Sequence, residues 1–292
     1  MAYPPLPADL LDGEARKAGR VFDTLASEYD ASRPGYPAQA IASVVAACGL
    51  CPGKRVLEVG CGTGQATRPL AETGCAIRCL EPGANLASLA RQNLRSLPNV
   101  EVVEQPFESA DEPAGAYDAI VSATAFHWID PQVSYAKAAR LLGPGGHLAL
   151  LTNAHAAGGT QDAIAGEVQK LHLRFAPDLG AWTFPSVEAV CGRATGDGDI
   201  AAVWSRVDRK LGDPPALGHV FFPPAVATYP WVASYDRAGY LAMLGTHSTY
   251  ALMDARRREQ LMEEMAVLID DLLGGRITKQ YVCVVAIAEV RS

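Results

Sequence analysis

Glu58, Gly60, Gly62, Gly64 and Glu81 have the types and the spacing to hold a nucleoside that carries a positive charge. The run Arg55-Val56-Leu57-Glu58-Val59 is apolar and β-like, and the three glycines follow it at alternate positions before a helix-compatible stretch. Glycine is needed where a strand turns sharply into a helix and the backbone must approach a ligand with no Cβ in the way; the free N–H groups of the helix start then face that ligand. The order Glu-x-Gly-x-Gly-x-Gly differs from the G-x-G-x-x-G of a dinucleotide site. A carboxylate inside the strand end would repel a pyrophosphate and attract an ammonium. Glu81 closes the next strand, about twenty residues beyond the glycines, where a carboxylate's two oxygens match the two hydroxyls of a ribose. Together these residues point to an adenosine ligand. The plainer alternative is a tight strand-to-helix turn and nothing more.

The elements that must position these residues follow from periodicity. A helix is expected from Ala38 to Cys48, strand one at Arg55 to Val59, and a helix from Gln65 to Glu72 closed near Gly74. Strand two is Ala76 to Glu81, followed by a Pro82-Gly83 turn and a helix from Asn85 to Leu97. Strand three is Val100 to Val103, with Gln105-Pro106-Phe107-Glu108 as its loop; strand four is Tyr117 to Ser122, with Ala123 to Asp130 as its loop. A helix from Pro131 to Leu142 stops at Gly143-Pro144-Gly145-Gly146, and His147 to Leu151 is strand five. Five β/α units with short connections make one continuous parallel sheet the simplest architecture. In such a sheet ligands sit outside the carboxyl ends of the strands, so the loops after strands one to four share one crevice. His127 lies in the fourth loop beside Trp128. An imidazole there could accept a proton or could simply shape the pocket.

Before the sheet, Glu14 to Tyr29 has apolar residues at helical spacing, and the helix must stop by Ser32 because Pro34, Gly35 and Pro37 follow. Tyr29 to Pro37 then reads either as a linker or as a lid presenting Arg33 and the tyrosines to a carboxylate. After Asn153 the regularity lapses until about Val220, with an amphipathic helix near Ala163 to Arg174 and a Gly/Ala/Asp-rich stretch from Gly192 to Asp199. Val226 to Val232 and Tyr281 to Ala288 read as the sixth and seventh strands. Between them lie Tyr235 to Leu244, a loop from Thr246 to Tyr250, and a charged helix from Ala255 to Leu273 ending at Gly274-Gly275.

The run Glu58 to Gly64 resembles motif I of class I S-adenosylmethionine (SAM) methyltransferases, in which the glycine turn carries the methionine moiety of SAM. The opening Phe-Asp-x-x-Ala-x-x-Tyr-Asp-x-x-Arg-Pro-x-Tyr-Pro, from Phe22 to Pro37, is similar to that of the trans-aconitate-methyltransferase-like group of small-molecule methyltransferases. Leu141 to Gly146 looks like the post-helix turn of the same class. The resemblance is strong from Phe22 to Leu151, looser from Val220 to Ala288 and weakest from Ala154 to His219. It implies an α/β fold: a Rossmann-like doubly wound seven-stranded sheet, mostly parallel with the last strand antiparallel, under a helical cap. Residues 1–153 and 220–292 would form the SAM-binding core with an N-terminal lid helix, and 154–219 an insertion that joins about 235–275 in the cap.

The same resemblance implies SAM contacts from Tyr29, Arg33, Glu58, Gly60, Cys61, Gly62, Gly64, Glu81, Pro82, Phe107, Glu108 and Ala123. Relatives more often show Gly-Asp-Ala-Glu where this chain has Gln105 to Glu108, so only Phe107 and Glu108 are carried over; an ordinary loop phenylalanine and a solvated glutamate are the alternative. His127 is the candidate catalytic group, and Tyr36, Trp128, Trp231, His247 and Tyr250 are candidates for the acceptor, with core packing as the alternative for Trp231 above all. The expected reaction is methyl transfer to a small-molecule carboxylate or hydroxyl, releasing S-adenosylhomocysteine. The same residues would also serve a SAM-binding relative that catalyses a cyclisation or only binds.

Composition narrows the remaining classes. The net charge of −7 and pI near 5.4, with no Asn/Asp-Pro-Pro-Tyr-type loop after strand four, argue against a nucleic-acid substrate. No run approaches the roughly 18 apolar residues of a membrane helix, and the N-terminus has neither a basic start nor an apolar signal core, so a cytoplasmic enzyme is expected. The seven cysteines are scattered, with no disulfide framework, and Cys48-Gly49-Leu50-Cys51 has no second ligand pair for a metal. The sequence sets no oligomeric state.

Overall fold

A computed structural model of the chain describes residues 23–177, 183–195, 217–247, 250 and 253–291. Its seven strands are β1 Arg55–Val59, β2 Ala76–Glu81, β3 Val100–Glu104, β4 Tyr117–Ala123, β5 Leu142–His155, β6 Ala225–Asp236 and β7 Arg276–Glu289. They form one sheet in the order β3-β2-β1-β4-β5-β7-β6. The first five pair in parallel, β1 with β2 and β4, β2 with β3, and β4 with β5. β7 runs against β5: Ala156 N–H donates to Gln280 O while Val290 N–H donates to Gly146 O, so residue numbers rise on one strand as they fall on the other. The expected doubly wound sheet with an antiparallel finish is what forms.

The described helices are α1 Ala26–Ser32, α2 Ala38–Ala47, α3 Thr67–Ala71, α4 Ala84–Leu94, α5 Pro131–Leu141, α6 Ala165–Phe175, α7 Val187–Thr195, α8 Leu217–Val220, α9 Arg237–Gly245 and α10 Ala255–Leu273. No described helix is long and apolar enough to cross a membrane. α10 shows why the ends fall where the sequence places them. The Asp254 side chain accepts from Arg257 N–H at the start, and Gly274, at φ 63°, turns the chain so that Gly274 and Gly275 N–H reach the Asp270 and Ile269 carbonyls. α1 ends at Ser32, as Pro34 requires. Of the expected helix from Glu14 to Tyr29, residues 14–22 lie outside the described residues, as do Phe22 of the family-like opening, 196–199 of the Gly/Ala/Asp-rich stretch, and Ser248 and Thr249.

The largest shifts of expected boundaries are in three strands. β5 and β7 start five residues earlier than the apolar runs do, and β6 runs on to Asp236. In β5 the cause is the glycine turn itself: Tyr117 pairs with Leu142 and Ala119 with His147, so Gly143 to Gly146 bulge out within the strand.

The chain divides into two compact units. One, the glycine-turn unit, comprises Gly35–Ala154, Cys191–Tyr229 and Cys283–Ser292; the other, the helical unit, comprises Met1–Pro34, His155–Val190 and Pro230–Val282. In the glycine-turn unit the core is the fully buried middle of β1 and β4, with Val56, Leu57, Ala119, Ile120 and Val121 all inaccessible. Near-continuous apolar strands of this kind are what a sheet covered on both faces needs. In the helical unit Ile164 and Val168, Tyr240 and Met243, and Leu261, Met265 and Ile269 form a separate core with Ile277.

Candidate functional site

In the glycine-turn unit the order β2-β1-β4 makes the carboxyl ends of β1 and β4 the switch point of the sheet. The loop after β1 is left-handed at all three glycines, with φ of 70° at Gly60, 57° at Gly62 and 100° at Gly64. A Cβ on Gly60 would stand 2.4 Å from the Ala125 Cβ, so the turns after β1 and β4 pass too close for any side chain there. Glu81 is buried at the tip of β2 and grips this turn: Oε2 accepts the Gly62 N–H at 2.9 Å and Oε1 the Gly83 N–H at 3.0 Å. Pro82, between them, is exposed.

Glu58 lies inside the end of β1, with 1% of its surface accessible. Cys79 Sγ donates to its Oε2 at 3.8 Å, while Oε1 has no hydrogen-bond partner among the described residues. Burial pushes its pKa up to about 7, against the opposing pull of Thr67 and Cys79. Cys61 packs beneath the turn, and its thiol, hydrogen-bonded to Cys79 and desolvated, sits well above the ordinary range and is chemically quiet.

The loop after β4 carries the other candidates. Thr124 adopts a left-handed φ of 58°, held by its N–H to Leu151 O at 2.8 Å and by a 2.9 Å hydrogen bond between its Oγ1 and Tyr36 Oη. Tyr36 and the β4 loop are thereby brought together. Ala123 ends the strand, and Phe126–Trp128 forms a single 3₁₀ turn. The His127 and Trp128 rings stand 4.9 Å apart, both partly exposed, and His127 lines a small recess with Ser122, Thr124, Ala125 and Leu151. Phe107 is core: it is 3% exposed, tilted against Phe126 at 6.3 Å, with Lys137 Nζ 5.3 Å over its ring. Glu108 is exposed.

Tyr29, Arg33, Trp231, His247 and Tyr250 belong to the helical unit. Arg33 donates from Nε to Thr246 Oγ1 at 3.0 Å and from Nη2 to Thr246 O at 2.9 Å, stacking 5.0 Å over Tyr29; it clamps the C-terminal cap of α9. Tyr250 is buried, as the core-packing alternative has it. It is 6% exposed inside the helical core, and its hydroxyl donates to His172 Nε2 at 2.7 Å, because His172 Nδ1 is taken up by Val168 O at 2.9 Å. Trp231 stacks on Tyr281 at 5.3 Å. His247 stands 5.5 Å from the His155 ring, and desolvation, reinforced by Arg33 and Lys279, holds it well below the usual imidazole range and therefore neutral.

This ring cluster contains residues that the sequence reading missed. His155 also meets Phe184 at 5.6 Å and Tyr281 at 5.2 Å, and Lys279 Nζ lies 4.3 Å over the Phe184 ring and 2.7 Å from Gln161 Oε1. Strand period would have found Lys279, since it shares a face with buried Ile277 and Tyr281 once β7 is begun at Arg276. Among the described residues no group of three His, Cys, Asp or Glu side chains is arranged to hold a metal ion.

Residues 57–150, from β1 through β5, match a family model described as a methyltransferase domain. The segment from β1 through β5 is thus similar to a methyltransferase domain. Over 150 residues it is 31% identical to an uncharacterized methyltransferase of Mycobacterium tuberculosis, covering 51% of this chain and 56% of that one. Over 139 residues it is 35% identical to a ubiquinone biosynthesis O-methyltransferase of Xanthomonas campestris, covering 45% of this chain and 58% of the other. The matched segment of this chain thus spans little more than half the length of these relatives. The fold extends further: a solved structure of a proposed type II methyltransferase from Anaeromyxobacter dehalogenans superposes with a TM-score of 0.56 at 24% identity, over 89% of this chain and 97% of that one.

Proposed function

We propose that the protein transfers a methyl group from SAM to a small-molecule acceptor, a carboxylate or a hydroxyl, and releases S-adenosylhomocysteine. The observation that carries this reading is the turn after β1. Three left-handed glycines keep this turn free of side chains, with Gly60 packed against Ala125, and Glu58 Oε1 lies buried with no hydrogen-bond partner among the described residues. A buried carboxylate oxygen without a donor is costly, and the α-ammonium of a methionine moiety is a donor of matching charge. Glu81 stands at the tip of β2 beside this turn, where a carboxylate can accept from ribose hydroxyls. The residues present therefore fit the cofactor that the family implies.

SAM supplies an already activated methyl sulfonium. The chain's own work is to bind it, to position the acceptor atom in line and to exclude water. His127, in the recess of the β4 loop, is read as a base that matters only when the acceptor atom is protonated; Trp128 and the Tyr36–Thr124 hydrogen bond would fix the shape of that recess. Acceptor choice is read as a property of the helical unit, with Trp231 and His247 in its ring cluster. The decisive experiment titrates SAM into the wild type and Gly60→Val, then supplies labelled SAM with a panel of small acids and phenols. Wild-type binding that is lost in a folded Gly60→Val, with S-adenosylhomocysteine released by at least one acceptor, is expected. Equal SAM affinity in both proteins would overturn the cofactor site. SAM binding without transfer to any member of the panel would leave a binding module or a cyclase.

A further inference from the structure

Among its described residues the helical unit contains a buried ammonium with no anion beside it. Lys279 is 2% exposed, and among the described residues no carboxylate stands within ion-pairing distance of it. An ammonium has three donors, and one of them is used, on the neutral amide oxygen of Gln161 at 2.7 Å. Asp162, next to Gln161, attracts it only from beyond contact, while Arg33 and neutral His247 add no negative charge. The remaining neighbours are ring faces: Nζ is 4.3 Å from the Phe184 centroid and 5.6 Å from that of Tyr281. Those faces carry partial negative charge and offset part of the desolvation of a cation, but they accept no strong hydrogen bond. Removing a charge from water without a charged partner is among the most expensive arrangements a fold can hold, and the described interior supplies no such partner.

The rings extend beyond Lys279. His155 lies 5.6 Å from Phe184 and 5.2 Å from Tyr281, and Trp231 stacks on Tyr281 at 24°. Such a set offers faces to a flat apolar body next to a single positive donor. One ammonium and a set of neutral phenol and imidazole groups match a singly charged carboxylate. A phosphate would ask for more donors and more positive charge than the cluster holds. We propose that Lys279 is the anchor for the carboxylate of an aromatic acid, whose ring packs among Phe184, His155, Tyr281 and Trp231 of the same unit.

A consequence distinguishes the anchor from a merely structural lysine. Burial lowers the Lys279 pKa to about 7, so near pH 8 the free protein holds most of this amine unprotonated, and a bound carboxylate must bring a proton onto it. The other titratable groups around it do not mask this: His247 is held neutral, and burial pushes the Tyr281 and Tyr235 phenols upward.

The test uses the full-length protein and its Lys279→Met and Lys279→Arg variants, with benzoate and benzamide as probes of equal shape and different charge. Affinities are read by calorimetry at pH 8 in two buffers of different ionisation enthalpy, and SAM affinity is read on the same samples. The wild type should prefer benzoate at least ten-fold and take up close to one proton per benzoate. Lys279→Met should lose both the preference and the uptake, and Lys279→Arg should keep the preference without the uptake. SAM affinity should stay within a few-fold throughout. Equal binding of the two probes by the wild type, or a preference that survives in Lys279→Met, would overturn the proposal. A wild type that selects benzoate yet fails to bind SAM would overturn the methyltransferase reading and leave the anion site standing.

Discussion

Glu81 ties down Gly62: the carboxylate at the tip of β2 accepts the backbone N–H of the glycine turn after β1 at 2.9 Å. The acid that sequence spacing assigns to a ribose is thus also the latch of the loop that would meet the methionine moiety. Losing it removes a charge-assisted hydrogen bond and leaves the Gly62 and Gly83 N–H groups without their acceptor. Glu81→Ala should therefore lower SAM affinity by more than ten-fold and also lower the melting temperature. Glu81→Gln, which can still accept on one oxygen, should recover most of the stability and little of the affinity. Calorimetry and thermal melts on the same preparations check both; an Ala variant that melts early but binds SAM normally would reduce Glu81 to its latch role.

Glu58 gives a pH signature. Its pKa rises on folding from 4.5 to about 7, so between those values the folded state binds more protons than the unfolded one and stability falls as pH rises. The full cost is present above pH 7, is absent below pH 4.5, and corresponds to about 3 kcal/mol at most. Glu58→Gln should then melt higher than the wild type at pH 8, with the gap closing by pH 5. If the ionised carboxylate pairs with the cofactor's ammonium, wild-type SAM affinity should climb between about pH 5.5 and 7 while Glu58→Gln binds weakly and without that slope. A flat wild-type profile would remove Glu58 from the cofactor site.

The parts of this protein that follow local rules were legible. β2 and α10 begin and end where alternation, the Pro82-Gly83 turn and the Gly274 cap place them, because each boundary is written within a few residues of itself. The glycine turn was legible for the same reason. Tyr250 was not, because its loop composition is polar and only tertiary packing against His172 shows that it is core. Phe107 poses the same difficulty: its contact with Phe126 depends on tertiary packing and is not written in its loop sequence. Lys279 was passed over because the apolar run begins after it, while the strand begins before it and carries it inward beside Tyr281.

Tyr250 leads to a stability prediction. Its hydroxyl satisfies His172 Nε2, whose other ring nitrogen is committed to Val168 O, and both side chains are buried. Tyr250→Phe leaves that nitrogen without a donor at nearly unchanged volume, which should cost about 1–2 kcal/mol. The melting temperature should drop by several degrees while KM for SAM and for any acceptor found stays within two-fold. A raised acceptor KM with unchanged stability would return Tyr250 to the acceptor site.

Lys279 gives the opposite pH dependence from Glu58. Its pKa falls on folding from 10.5 to about 7, so between these values the unfolded chain binds more protons and stability rises with pH. Below pH 7 the folded protein carries the whole cost of a desolvated ammonium, at most about 5 kcal/mol and less where the ring faces and Gln161 relax around it. Lys279→Met, close in volume and without charge, should therefore melt above the wild type at pH 6, and the difference should shrink steadily toward pH 10. A saturating aromatic carboxylate should act the other way. By supplying the missing anion it should raise the wild-type melting temperature most at pH 6 and leave Lys279→Met where it was. If Lys279→Met instead melted well below the wild type at pH 6, the lysine would be holding the β7 face to Gln161, and its burial would be a matter of folding rather than of a ligand.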